Sequence, residues 1–350
     1  PSDEFASLTP RLSWDRATDV VQARRGTAML SRLNAGTIPD RGLYGVFLGE
    51  DGPRVGELDE EMVFETRIAD RIVLGASTWA VESIGRDRVI VSPAPGEPGR
   101  MPFWHGEGPG RPLELGRAIG KLTRTLGEQP TQERVRYIGE HTPLDALAAR
   151  NLADYITEQA AHTGCLPSDT SLTVECFRDE LGDWRVCILS PFGTPVHAPW
   201  AIALQTTLSE RAGFEVQVMY TDDGLVLRFA DTETLPDTAM LFPDPGEVDD
   251  LVTRALQHTA LFAGLFRENA ARALLLPRRH PERRNPLWAQ RRKAQALLAA
   301  VSKYPNFAIV VETYRQALAD IFDLEGLKML LGQIQRRRIR THAVETSRAS

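Results

Sequence analysis

The sequence predicts an α+β protein, with a β-barrel-like N-terminal part, a mixed α/β middle and a helical, basic C-terminal part. Three observations carry this expectation. Short apolar runs with regular turn punctuation fill the first hundred residues, as in small barrels and sandwiches. Helical spacing and two hairpin patterns share the stretch from 113 to 245. From Gly246 onward apolar residues recur almost wholly at helical spacing. At 350 residues the chain exceeds one ordinary core, so three units are expected, at 1–112, 113–245 and 246–350.

In the first unit, strands are expected at Gly42–Leu48, Met62–Thr66, Arg71–Leu74, Trp79–Ile84 and Arg88–Val91. Gly49-Glu50-Asp51-Gly52 supplies the flexible residues of a strand-to-strand turn. Pro93 to Pro112 is crowded with proline and glycine around Phe103-Trp104-His105, which excludes a helix or central strand and predicts an ordered crossing loop. Helices follow at Leu113–Leu126 and Thr131–Ile138. A third is expected to open at Thr142-Pro143 and to end at Gly164, with Leu144, Leu147, Leu152, Tyr155 and Ile156 as one apolar stripe against a sheet. Hairpin patterns pair Leu172–Arg178 with Trp184–Leu189 and Glu215–Met219 with Leu225–Phe229, and a helix starts near Ala198 between them. The last unit is interrupted from Pro277 to Pro286, with basic residues on both sides.

A formal net charge of −6 argues against a polyanionic partner, but the charges are unevenly spread. Residues 255–350 hold 17 Lys and Arg against 7 Asp and Glu, whereas 1–254 hold 24 against 40. Such a basic module either meets a polyanion or docks on its own acidic remainder. No stretch approaches the about 18 apolar residues of a membrane helix. Cys165, Cys176 and Cys187 lack metal-ligand spacing and read as buried hydrophobes of a reducing cytoplasm. The start at Pro1, without methionine or signal-peptide pattern, suggests a piece of something longer.

Several catalytic motifs come close without being right. Gly116 and Gly120-Lys121 resemble a phosphate loop, but the glycines are one residue too near and Leu122 stands where Ser or Thr would hold magnesium. No nucleotide-binding motif, and hence no cofactor, is expected in the segment itself. Glu57, Asp59, Glu60 and Glu61 form a carboxylate cluster that reads as a solvated turn more readily than as a metal site. His197 stands where a helix begins and reads as structural rather than as a proton carrier. Leu189-Ser190-Pro191-Phe192-Gly193 lacks the first glycine of a nucleophile elbow. No catalytic residue and no metal ligand is assigned.

What remains is aromatic and basic. Trp79 follows small and polar residues, and the sequence leaves base stacking and core packing equally open for it. Arg11, Arg16, Arg24 and Arg25 surround Trp14 in the first strands, as phosphate contacts or as solvated strand faces; Arg41 joins this set. Arg278, Arg279, Arg283, Arg284, Arg336, Arg337 and Arg338 form a candidate basic docking face.

Long blocks resemble the large helicase-related (Lhr) proteins of superfamily two, especially those of actinobacteria. The blocks are GTIPDRGLYGVFL at 36–48, RVGELDEEMVFE at 54–65, LGASTWAVESI at 74–84 and RVIVSPAPGEPGRMPFWHGEGPGRPLELGRAIG at 88–120. SPFGTPVHAPWAIAL at 190–204 and FRENAARALLLPRRHPERRNPLWAQRR at 266–292 resemble the DEAD/H-associated region. The resemblance implies two motor lobes and a winged helix elsewhere in the polypeptide as partners, with ATP and Mg bound by that parent. It implies that this segment embraces single-stranded DNA, or an RNA:DNA hybrid through the parent, with Trp79 stacking on a base. The implied setting is DNA repair in the cytoplasm, associated with the nucleoid and not with a membrane. Two other classes stand beside it: a base-removing glycosylase module, and a scaffold docking the motor or a repair partner.

Overall fold

The computed structural model describes residues 10–346, apart from 36–42, 60–61, 64–65, 75–76, 96–109, 180–181, 215, 230–233, 235–236, 277–278, 281–282, 285–286 and 305. The chain opens with a hairpin of β1 (Leu12–Asp15) and β2 (Val20–Ala23) and a short helix α1 (Thr27–Leu33). Five strands follow, β3 (Leu43–Leu48), β4 (Arg54–Asp59), β5 (Arg71–Leu74), β6 (Ser77–Ile84) and β7 (Arg88–Pro93). Next come helices α2 (Leu113–Glu128), α3 (Thr131–His141) and α4 (Ala146–Thr163), then β8 (Ser171–Arg178) and β9 (Trp184–Leu189). Helix α5 (Thr194–Ala212) leads into β10 (Gln217–Thr221) and β11 (Gly224–Phe229). Helices α6 (Val248–Leu256) and α7 (Ala260–Arg272) precede the two-residue strands β12 (Arg279–His280) and β13 (Arg283–Arg284). Helices α8 (Leu287–Val301), α9 (Ala308–Arg315) and α10 (Leu324–Gln335) and a last strand β14 (Arg340–Glu345) complete the chain.

These elements group into two compact units, residues 1–104 with 257–317 and residues 105–256 with 318–350. The spatial grouping therefore differs from three consecutive blocks. Helices beyond 256 return to the first unit, and the last stretch returns to the second.

The first unit is built on a sheet of order β4-β3-β7-β6-β5, antiparallel except for the β3–β7 pair. Tyr44, Val46, Leu58, Ile72, Val81, Val89 and Val91 form its core with Met62 and Val63. The sheet is open, in place of the expected barrel: among the described residues β4 and β5 are edges and do not pair. Its edge strands have six and four residues, and Met62 and Val63 close the core where further pairing would have done so. Two strand expectations also change. Glu57 and Asp59 of the expected solvated turn lie in β4, Glu60 and Glu61 fall outside the described residues, and Met62 and Val63, expected in a strand, are helical. Alternation of Val55, Glu57 and Asp59 with Arg54, Gly56 and Leu58 hides the strand, because only Leu58 is fully buried. Helices of the later stretch join this unit. The Arg291 guanidinium on α8 lies 4.4 Å from the Tyr44 ring centroid, and Phe262 and Tyr314 rings from α7 and α9 meet at 4.7 Å.

The second unit carries a sheet of order β10-β11-β9-β8-β14 in which β14 runs parallel to β8. The almost wholly helical, basic end expected from the sequence thus finishes as a strand of the second unit's sheet. Helix α5 is buried along its length through Trp200, Leu204 and Leu208, and the Trp200 indole donates to Leu241 O at 2.9 Å. Helices α2 to α4 pack through Leu126, Ile138, Ala149, Ala153 and Ile156. The buried face of α4 is therefore its alanine face, and Leu144, Leu147 and Tyr155 of the expected stripe are exposed. Asp145 caps α4 by accepting from Leu147 N and Ala148 N, so the helix begins beyond the expected Thr142-Pro143. Its end at Gly164 is as expected, with φ 68 in the left-handed region.

Candidate nucleic-acid interface

The β1–β2 hairpin gathers most of the aromatic and basic candidates. Its register pairs Leu12 with Ala23 and Trp14 with Val21, so these four side chains share one face, while Ser13, Asp15, Val20 and Gln22 share the other. Every residue of both strands is exposed, and Trp14 retains 57% of its surface. An exposed tryptophan is normally free to rotate, but this one is held. Its indole N–H donates to Asp19 Oδ1 at 2.9 Å, and the Arg16 guanidinium sits 5.2 Å from the ring centroid. The turn beneath is fixed by Asp15, which accepts from Ala17 N at 2.9 Å and Thr18 Oγ1 at 2.8 Å. The Thr18 hydroxyl bond holds the Asp15 carboxyl below the usual carboxylate range. Arg24 and Arg25 follow β2 and are exposed, whereas Arg11 is partly covered. Arg11 Nε is shielded from solvent and has no acceptor among the described residues.

Trp79 sits on β6 opposite Ile72 and Pro93. Its ring is half-buried against the first unit's core, and its indole N–H donates to Leu74 O at 3.2 Å. The structure thus gives Trp79 core contacts on one side and leaves part of the ring accessible. Arg41 and Arg278 lie outside the described residues. Arg279, Arg283 and Arg284 fall on the β12–β13 pair, in which Arg279 faces Arg284 in register. Arg336, Arg337 and Arg338 follow α10 in the second unit and are exposed. Trp14, Arg11, Arg16 and Arg24 are therefore brought together on one hairpin, Trp79 belongs to the five-stranded sheet of the same unit, and Arg336–Arg338 belong to the other unit.

The near-motifs resolve structurally. Ser190 Oγ donates to His197 Nε2 at 2.8 Å, and His197 Nδ1 donates to Thr221 O at 2.7 Å. The ring is fully buried and burial pushes its pKa down to about 4, so His197 is a neutral core residue. Gly116 and Gly120 lie inside α2, where a Cβ would come 2.3 Å from Pro191 O and 2.4 Å from Asp169 N. Their spacing serves close packing of a helix, not phosphate binding. Glu57 pairs with Arg54, and no group of three or more His, Cys, Asp or Glu among the described residues could hold a metal ion. Sequence reasoning missed Arg134, which is 5% exposed and donates to Leu126 O, Thr157 Oγ1 and Gln129 O. It also missed Arg111, which binds Asp223 Oδ1 at 2.8 Å. These arginines tie helices and loops together, and only their apolar surroundings distinguish them from surface cations in the sequence.

A family model described as DEAD/H associated matches residues 166–350, and one described as large helicase-related protein, winged helix domain, matches residues 1–101. The chain belongs to the DEAD/H-associated family of large helicase-related proteins. The winged-helix description falls on the segment expected to be a β-rich unit beside a separate winged helix. This Lhr segment is 47% identical over its whole length to the Lhr helicase/probable uracil glycosylase of Mycolicibacterium smegmatis, and 42% identical to the Lhr helicase/uracil glycosylase of Escherichia coli. It spans 23% of the length of each of these relatives. It is 28% identical to the ATP-dependent helicase Lhr-Core of Saccharolobus solfataricus over 92% of this chain and 38% of that protein. Among solved structures, that of Mycobacterium smegmatis helicase Lhr bound to ssDNA and AMP-PNP superposes with a TM-score of 0.81 at 40% identity, covering 99% of this chain and 40% of that one.

Proposed function

We propose that this Lhr segment is the grip of an ATP-driven DNA helicase, holding single-stranded DNA while motor lobes outside the segment move it. The observation that carries the reading is the likeness, over 99% of this chain, to a helicase solved with ssDNA. The hairpin gives the reading its chemistry. Trp14 is a fixed, exposed stacking platform, and Arg16, Arg24, Arg25 and Arg11 supply phosphate contacts; Arg41 is added to them from the sequence alone. Trp79 offers the accessible part of its ring to a second base. ATP and Mg act in the parent's motor, and DNA repair in the nucleoid-associated cytoplasm, on DNA or an RNA:DNA hybrid, is the setting of the same proposal. The glycosylase reading is weaker. That word belongs to two relatives of which this chain spans 23%, whereas the archaeal relative of which it spans 38% is named as a helicase alone.

Fluorescence anisotropy with labelled oligonucleotides tests the grip. The wild-type chain should bind many sequences alike and lose affinity with salt, and Trp14→Ala and Trp79→Ala should each cost about 1–3 kcal/mol. Absence of binding by the wild type at low salt would remove the grip from this segment.

A further inference from the structure

The second unit contains an open cleft of about 670 Å³ between the turn before α6 and the end of α10, lined by Asp244, Gly246, Lys328, Met329, Gln333, Gln335, Arg336 and Arg338 among others. Its volume falls in the range of small-molecule sites, roughly 300–1,000 Å³. The local backbone makes its cationic wall rigid. Helix α10 stops at Gln335, Arg337 adopts φ 56, and Arg338 N and Ile339 N both donate to Gln333 O, at 2.8 and 3.2 Å. Ile339, 3% exposed, anchors the turn before Arg340 N bonds Thr170 O at the start of β14. Arg336 and Arg338 are thus exposed side chains on a fixed turn, and no ion pair or side-chain hydrogen bond engages them among the described residues.

The acidic groups of the cleft are already engaged. Asp244 Oδ1 accepts from Gly246 N at 2.7 Å, and Lys328 Nζ bridges Glu325 and Asp249, each at 2.8 Å. Asp244, Asp249 and Glu325 match Lys328, Arg336 and Arg338 in number, but Asp249 and Glu325 are both held on Lys328. The groups left to face a ligand are therefore the guanidiniums of Arg336 and Arg338, two neutral amides and Met329, which is 45% exposed and whose Sδ accepts from Arg117 Nη2 at 3.0 Å. Guanidinium forks match phosphate, glutamine amides can bond base edges, and a polarizable apolar surface suits a base face. We propose that this cleft is a nucleotide subsite for single-stranded DNA, with Arg336 and Arg338 on a phosphodiester, Met329 beneath the base and Gln333 and Gln335 at its edge. It rests on the reading of the chain as a DNA grip, and places a contact in the unit that holds neither Trp14 nor Trp79.

The test compares the wild-type chain, Arg336→Glu/Arg338→Glu, Arg336→Lys/Arg338→Lys and Trp14→Ala, binding an oligothymidylate across a salt series. Loss of the one phosphate the two arginines share should lower the slope of log affinity against log salt by about 0.7, the value per phosphate on a single strand. The lysine variant should keep most of the slope, and Trp14→Ala should weaken binding with the slope intact. An iodouracil-substituted oligonucleotide should crosslink to the tryptic peptide containing Met329 in the wild type. Circular dichroism and thermal melting check that the exposed substitutions leave the fold unchanged. An unchanged slope and absent crosslink, with wild-type binding intact, would sink the cleft and leave the hairpin grip standing. Binding of polyglutamate that depends on the two arginines, without any effect on oligothymidylate, would overturn the proposal in favour of a protein-docking surface. Failure of the wild type to bind oligothymidylate would overturn both readings together.

Discussion

At the scale of single residues, the two tryptophans of the grip differ in what their removal should do. Trp14 is 57% exposed on a hairpin whose strands are exposed throughout, so Trp14→Ala should leave stability within about 0.5 kcal/mol of wild type in urea titration. Trp79 packs on the sheet core, and Trp79→Ala should cost about 2 kcal/mol, less than the roughly 3–5 of a fully buried aromatic. His197 makes a separate prediction about pH. It is neutral in the fold with a pKa of about 4, while the unfolded chain takes up the proton near the ordinary 6.5. The unfolded state therefore binds more protons between these values, so stability is complete above about pH 6.5 and falls as pH drops toward 4. The lost stability should be about 3 kcal/mol, read as a shift of the urea midpoint, and a His197→Asn variant should lose that part of the slope. The strand position of Trp79 and the helix position of His197 were legible in the sequence. The ring's half-burial was not, since it depends on Leu74 and Pro93 arriving on neighbouring strands.

At the scale of elements, α2 shows how helix propensity and packing oppose each other. Alanine is favoured over glycine by about 1 kcal/mol inside an exposed helix, so propensity alone would make Gly116→Ala and Gly120→Ala stabilising. A Cβ at either position would meet backbone of the neighbouring loops at 2.3 and 2.4 Å, so both substitutions should instead destabilise by about 1–3 kcal/mol, measured by urea denaturation. The same tension explains what could be read in advance. Hairpins with clear alternation and turn residues, such as β8–β9 and β10–β11, were legible because the sheet's period is written into their side chains. Strand β4 was not, because a partly covered edge strand carries charges on both faces. Helix α4 was found with its correct end but a later start, and its buried face was read in part: Ile156 is buried and Leu152 packs beside it, but close helix packing selects Ala149 and Ala153 over the larger Leu147 and Tyr155.

At the scale of the whole molecule, the last strand binds the two ends of the second unit's sequence together. β14 pairs with β8 over six registered positions, from Arg340 opposite Ser171 to Glu345 opposite Cys176. Ending the chain after Ile339 should therefore expose the β8 edge, and amide hydrogen exchange at Leu172, Val174 and Cys176 should accelerate relative to the β10–β11 pair. Neither this return nor the joining of 257–317 to the first unit was legible from local pattern, because periodicity reports what an element is and not which distant element it meets.

The two-stretch construction of each unit means that the polypeptide passes between them at 104/105, 256/257 and 317/318. Severing the backbone at the middle passage would yield two pieces, each with an incomplete share of both units, so neither could be exchanged, deleted or transplanted as an independent module. Co-expressed, they should complement one another only as a pair, which makes this passage a natural place to split the protein into a two-component reporter of its own assembly.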